Sequence, residues 1–253
     1  YIRIISKEVD NVEEVADKLT LLFREAKIWR ENLDKGDRAM KALEKVLTID
    51  DTNLEAAELL IELYEENGQH KKLPEVLEIR IHNTEDEYTK RERIEELASI
   101  FNDHLRDKES SFTWYLKAVA LDPEKEEVRA QVEELASDVK EGYKRLVEAY
   151  EAAYESFSSL DDALPLMHVV ARAQETELDD KDNALATCKK ILEIEPTNMD
   201  ALNACERIYN EKQAWEDLLE VYTSKIDLIF EEEDKKELIW KKAEIYDSLI
   251  EKT

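Results

Sequence analysis

Apolar residues recur at every third or fourth position along most of the chain, as at Ala56, Leu59, Leu60 and Leu63, with Asp, Glu and Lys filling the places between. Such spacing lays the apolar side chains along one stripe of an α-helix. The stripes break every 10 to 20 residues, and in the first full stretch they predict helices over about 12–33, 37–49, 53–67 and 71–83. Stop and start signals sit at the breaks. Pro123 and Pro196 cannot continue the helices before them, because proline lacks an amide hydrogen and clashes with the preceding turn. Gly68 ends a third helix, and Thr52, Thr84 and Thr197 stand three residues ahead of Glu55, Glu87 and Asp200, the spacing of a capping box in which the hydroxyl accepts from an early backbone amide. Connections of only a few residues force successive helices to fold back as antiparallel hairpins.

The pattern also repeats at long range. "KVLTIDDTNLEAAELL" (45–60) returns as "KAVALDPEKEEVRAQV" (117–132) and as "KILEIEPTNMDALNAC" (190–205), while Ala26, Ala98, Ala171 and Ala243 mark one place at separations of 72, 73 and 72. A fixed period of this size means a solenoid or array whose neighbours bury one another's apolar faces. Four helices fill each period, giving units 12–83, 84–156 and 157–228 and a partial unit 229–253 within one continuous solenoid. The chain opens inside a fourth-type helix and stops just after a first-type helix, so a fragment of a longer array is expected.

Within each period a small residue is followed by a bulky one, a packing residue and a helix stop: Ala39, Leu43, Val46, Asp51; Ser111, Tyr115, Ala118, Pro123; Ala184, Cys188, Ile191, Pro196. This resembles the second-helix signature of tetratricopeptide repeats, and the first-helix half is matched by Ala56, Leu59, Leu60 and Leu63 and by Ala201, Ala204, Cys205 and Ile208. Val128, Gln131, Val132 and Leu135 depart from it at Gln131, and Lys72 and Asp217 stand where the fourth helix should carry a small residue. The resemblance covers nearly the whole chain and is similar to tandem arrays of large bacterial proteins. It implies an all-α, right-handed superhelix of about thirteen helices plus an N-terminal remnant, serving as a non-catalytic scaffold for protein–protein interaction. The alternative is a recruiting or regulatory arm of an enzyme whose catalytic domain lies elsewhere.

Composition narrows the function further. With 253 residues, 3 Gly and 4 Pro there are too few turn formers for a many-stranded fold. A formal net charge of -27 opposes nucleic-acid binding, which draws on Lys and Arg to displace counterions. The same acidity serves either solubility or the steering of a basic protein or peptide partner. No apolar run reaches the roughly 18 to 20 residues a bilayer needs, so direct membrane insertion is not expected. Two cysteines are too few for a disulfide framework and lean toward a reducing, cytoplasmic setting. His70, His82, His104 and His168 lack partners at metal-ligand spacing, no glycine-rich phosphate loop exists, and "TIDDTN" lacks the glycine and terminal Glu of a calcium loop. No cofactor, metal or catalytic residue is therefore assigned. Trp29, Trp114, Trp215 and Trp240 read as core.

Two site expectations follow. Cys188 and Cys205 lie equally far on either side of the Pro196–Thr197 turn, so an antiparallel hairpin should bring two reduced, buried thiols into contact, where other units place Leu43 with Leu60 and Tyr115 with Val132. The resemblance further implies a concave groove lined by the first and third helices of each unit. With Ala26, Leu60, Ala98, Val132, Ala171 and Cys205 fixed as the inward stripe, residues a turn away should face the groove: Arg30, Tyr64, Asn102, Arg129, His168, Arg172 and Tyr209. The lining lacks a repeated Lys and Asn clamp for a C-terminal carboxylate, so an internal segment or a helix of a partner is the expected ligand.

Overall fold

A computed structural model describes residues 2–250, and these form fourteen α-helices and no strand. The chain divides into two compact units with the boundary between Lys140 and Glu141. The first contains α1 (Ile2–Asn11), α2 (Val15–Lys27), α3 (Gly36–Ile49), α4 (Leu54–Glu66), α5 (Leu73–His82), α6 (Glu87–Ile100), α7 (Lys108–Leu121) and α8 (Glu126–Ala136). The second contains α9 (Gly142–Ala153), α10 (Leu160–Arg172), α11 (Lys181–Ile194), α12 (Met199–Lys212), α13 (Trp215–Leu228) and α14 (Glu232–Ile250). Inside each unit every helix packs on the next in sequence, as the short connections require. The four helices expected between residues 12 and 83 are α2 to α5.

The stripe residues form the core. Leu22, Leu43, Leu60, Leu97 and Phe112 are sealed from solvent in the first unit, and Leu166, Val170, Ile191 and Leu218 in the second. Each such side chain contributes about 1.5–3 kcal/mol relative to exposure. The proposed inward markers Ala26, Leu60, Ala98, Val132, Ala171 and Cys205 are all buried, and the small residues Ala39, Ser111 and Ala184 are each at most 1% exposed where two helices approach. Ser111 uses its fit to donate a hydrogen bond to the Ala98 carbonyl across the hairpin, at 2.9 Å.

Three first-type helices end alike, in one wide π turn: Ile28–Asn32 after α2, Phe101–Leu105 after α6 and Ala173–Glu177 after α10. A left-handed residue then redirects the chain, at Asp34, Arg106 and Asp179. A second left-handed series, at Gly68, Glu141 and Gln213, sits in the loop beyond each third helix. Only Gly68 is the residue type that takes this conformation without steric cost. The period of the sequence is thus written into the backbone dihedral angles as well as into the core.

The start signals differ in position from the sequence reading. The cap of α4 is Asn53, not Thr52, and that of α12 is Asn198, not Thr197; each amide oxygen accepts from a backbone N–H at 3.0 Å, from Ala56 and Ala201. Asp86 rather than Thr84 caps α6, accepting from the Thr89 N–H at 2.8 Å. Each asparagine uses both ends of its amide: while the oxygen caps, the NH2 reaches back to the carboxylate that ended the previous helix, Asp50 at 2.9 Å and Glu195 at 2.6 Å. Thr84 is occupied elsewhere, donating to the Arg80 carbonyl at 2.7 Å. Of the tryptophans expected in the core, Trp215 packs against the core of the second unit, whereas Trp29 and Trp114 are only half-buried and Trp240 is exposed. Trp29 carries the Arg38 guanidinium on its face and Trp114 the Lys117 ammonium, at 4.3 and 3.4 Å from the ring centres, and Trp240 is 69% exposed.

Candidate interaction crevices

Wherever a first-type and a third-type helix lie side by side over the second-type helix between them, the surface can sink into a crevice. In the first unit α2 and α4 bound one of about 370 Å³ over α3, with Phe23, Leu43, Leu59 and Leu63 as its apolar floor and Lys27, Arg30, Glu31 and Glu55 at its edges. In the second unit α10 and α12 bound one of about 520 Å³ over α11, with Val169, Cys188, Ile191 and Ala204 below and Arg172, Glu175, Asp200 and Arg207 around it. The two occupy equivalent places in the repeat. Phe23, Lys27, Arg30, Leu43, Glu55 and Leu59 become His168, Arg172, Glu175, Cys188, Asp200 and Ala204 at a shift of 145 residues. A further crevice of about 450 Å³ lies between α12 and α14, sharing Arg207 and adding Trp215, Tyr222 and Ile245.

An ion pair bridges the rim at the same place in both units, with its sign reversed. In the first, Arg30 in the π turn reaches Glu62 on α4 at 2.8 Å and Glu66 at 3.2 Å. In the second, the π-turn residue is Glu175 and the third helix supplies Arg207, whose Nε and Nη2 donate to the two carboxylate oxygens at 2.9 and 2.8 Å. The fork-to-fork geometry orients both side chains. The sequence carried the signal: Arg30 with Glu62 and Glu175 with Arg207 are the same two positions 145 residues apart, and the reasoning from groove-facing angles missed it.

The seven residues expected in the groove fall into three groups. Arg30, His168 and Arg172 line these crevices. His168 is held there by the Asn198 amide, 3.2 Å from its Nε2. Asn102 and Arg129 are partly exposed, the first donating to its neighbour Asp103 at 3.1 Å, the second to the Pro123 carbonyl at 2.5 Å. Tyr64 and Tyr209 do not present open surface, being 3% and 6% exposed. Tyr64 turns toward α3, donating to Glu44 at 3.0 Å beneath the Lys72 ammonium, and Tyr209 lies under Lys189 of α11. On α4 and α12 the position four residues after the inward marker turns toward the preceding second-type helix and not into the crevice, which the angular rule did not anticipate.

Other candidate chemistry is sparse. His70 and His104 stack face to face at 3.9 Å. Among the described residues, no three His, Cys, Asp or Glu side chains are grouped to hold a metal ion, and no helix is long and apolar enough to cross a membrane. Cys188 and Cys205 are free, buried and hydrogen-bonded to each other, as the hairpin register required.

Neither the models of known protein families nor the curated proteins give a match to the sequence. Solved structures do. The TPR domain of P58(IPK) is 18% identical, over 92% of this chain and 67% of that one, with a TM-score of 0.36. The C-terminal part of a TPR repeat-containing protein from Cytophaga hutchinsonii is 13% identical over 81% and 78%, with a TM-score of 0.40. YrrB, a TPR protein with an unusual peptide-binding site, is 15% identical over 96% and 100%, with a TM-score of 0.30. All three solved structures are TPR proteins. The likeness is one of fold.

Proposed function

We propose that the chain is a non-catalytic protein-interaction scaffold that holds an internal segment or a helix of a partner protein in the α2–α4 and α10–α12 crevices. The recurrence of one crevice at the chain's own 145-residue shift supports this reading. Both crevices keep an apolar floor beside a charged rim, the pairing that a surface reading side chains of a partner requires. Each crevice is large enough for one or two side chains. The excess of carboxylates over the surface, at a formal net charge of -27, favours a partner with basic flanks and an association rate that falls as salt is added.

Peptide selection from a displayed library against the full chain tests the proposal. Enriched peptides should lose binding when Leu59→Trp fills the first crevice or Ala204→Trp the second, while the helical circular dichroism persists. Binding unaffected by both fillers would place the partner elsewhere. Tyr64 and Tyr209 are poor targets for such a test, because truncating a buried tyrosine removes core as well as any contact.

A further inference from the structure

Cys188 on α11 and Cys205 on α12 are each 1% exposed and hydrogen-bonded through their sulfurs, yet Cys188 forms part of the wall of the α10–α12 crevice. Other repeats fill the same two places with Leu43 and Leu60 or with Tyr115 and Val132, so packing alone has no need of sulfur. We propose that Cys188 and Cys205 form a redox modification site, oxidised to a disulfide by a low-molecular-weight disulfide that enters through the crevice. Helix geometry permits the bond. Axes of packed helices run about 8–10 Å apart and Cα atoms sit about 2.3 Å from each axis, which brings facing Cα atoms to about 3.4–5.4 Å. A disulfide spans Cα atoms about 4.4–6.8 Å apart, so the two ranges overlap without unfolding either helix.

The chemistry balances with a disulfide RSSR as oxidant. The hydrogen bond from Cys188, helped by the Lys189 ammonium and opposed by burial, holds the Cys205 thiol below the usual thiol range, so the pair releases its first proton to solvent from there. Cys188 is the sulfur that faces the crevice. Its remaining proton passes along the S–H···S bond to Cys205 as Cys188 attacks RSSR, forming the mixed disulfide Cys188–S–S–R and expelling RS⁻. RS⁻ takes the proton from Cys205 and leaves as RSH. The Cys205 thiolate then attacks the Cys188 sulfur, closing the protein disulfide and expelling a second RS⁻, which recovers the proton given to solvent. Two thiols are oxidised, one RSSR is reduced to two RSH, and α11 becomes tied to α12 beneath the crevice. The site does not depend on what the crevice binds.

Intact-mass measurement of the folded full chain after exposure to oxidised glutathione, then denaturation and alkylation with iodoacetamide, tests this. The expected product takes up no alkyl group, yields a Cys188–Cys205 linked peptide on proteolysis, keeps its helical circular dichroism and melts at higher temperature. Cys205→Ser should stop at one glutathione adduct on Cys188, whereas Cys188→Ser should take up none, since Cys205 lies behind the wall. Two alkylatable thiols after oxidation of the folded wild-type chain would overturn the proposal. So would a link that forms only when denaturant is present during oxidation, or a glutathione adduct found on Cys205 in Cys188→Ser.

Discussion

Gln174 occupies the place that Trp29 and Phe101 hold in the other repeats, and it is 4% exposed. A polar side chain survives there because both ends are bonded: its Oε1 accepts from Thr187 at 2.8 Å and its Nε2 donates to Glu151 at 3.1 Å. Thr187→Val keeps the volume and removes the donor, so it should cost about 1–3 kcal/mol, the penalty of an unpaired buried oxygen, read from the shift in urea midpoint. Glu44 gives a residue-scale test in pH. Burial pushes its carboxyl up, but the hydrogen bonds from Lys72 and Tyr64 outweigh this and hold it below the ordinary glutamate value. A carboxylate lowered on folding contributes stability that is present above its unfolded pKa and lost as pH falls through the folded one. The stability difference between wild type and Glu44→Gln should therefore be constant near neutrality and shrink as pH falls below about 4.5, in urea titrations at several pH values.

Among the elements, the left-handed turns are where sequence and conformation disagree most. Arg106 and Glu141 adopt φ of 58° and 52°, which an L side chain resists by roughly 1–2 kcal/mol. Arg106→Gly and Glu141→Gly should each raise stability by about 1 kcal/mol less the entropy that glycine adds to the unfolded chain, visible as a higher melting temperature. At the caps, Asn198→Ala should cost about 1 kcal/mol while Thr197→Ala stays within about 0.5, a contrast that thermal melts of the two variants resolve. Helices were the legible part of this protein, because a 3.6-residue stripe is a property of the chain alone. The thiol contact was legible for the same reason, since equal offsets from one turn fix equal heights on two antiparallel helices. The burial of Tyr64 and Tyr209 was not, because which side of α4 or α12 is closed depends on how α3 and α11 pack against it. Nor were the π turns or the left-handed residues at Arg106, Glu141 and Gln213, whose side chains give no local sign of that conformation; only the recurrence of positions 34, 106 and 179, and of 68, 141 and 213, at the repeat spacing marks them.

For the whole molecule, the difficulty posed by near-copies is one of identity during folding. Helices α2 and α10 carry the same stripe and end in the same π turn, and α4 and α12 are equally alike, so a collapsing chain or two chains in contact could seat α2 against α12 or α10 against α4. Such exchanges are a characteristic failure of repeat proteins. The reversed rim pair disfavours both errors, for the first would set Arg30 against Arg207 and the second Glu175 against Glu62. Like charges at hydrogen-bonding distance repel, while the correct partners attract. The inversion should therefore help to tell two interchangeable neighbours apart during folding, at a site whose net contribution to native stability is small. Giving the second unit the polarity of the first, with Glu175→Arg and Arg207→Glu together, should leave the melting temperature almost unchanged. On rapid refolding at high concentration, the relabelled chain should yield more exchanged dimer on gel filtration than the wild type.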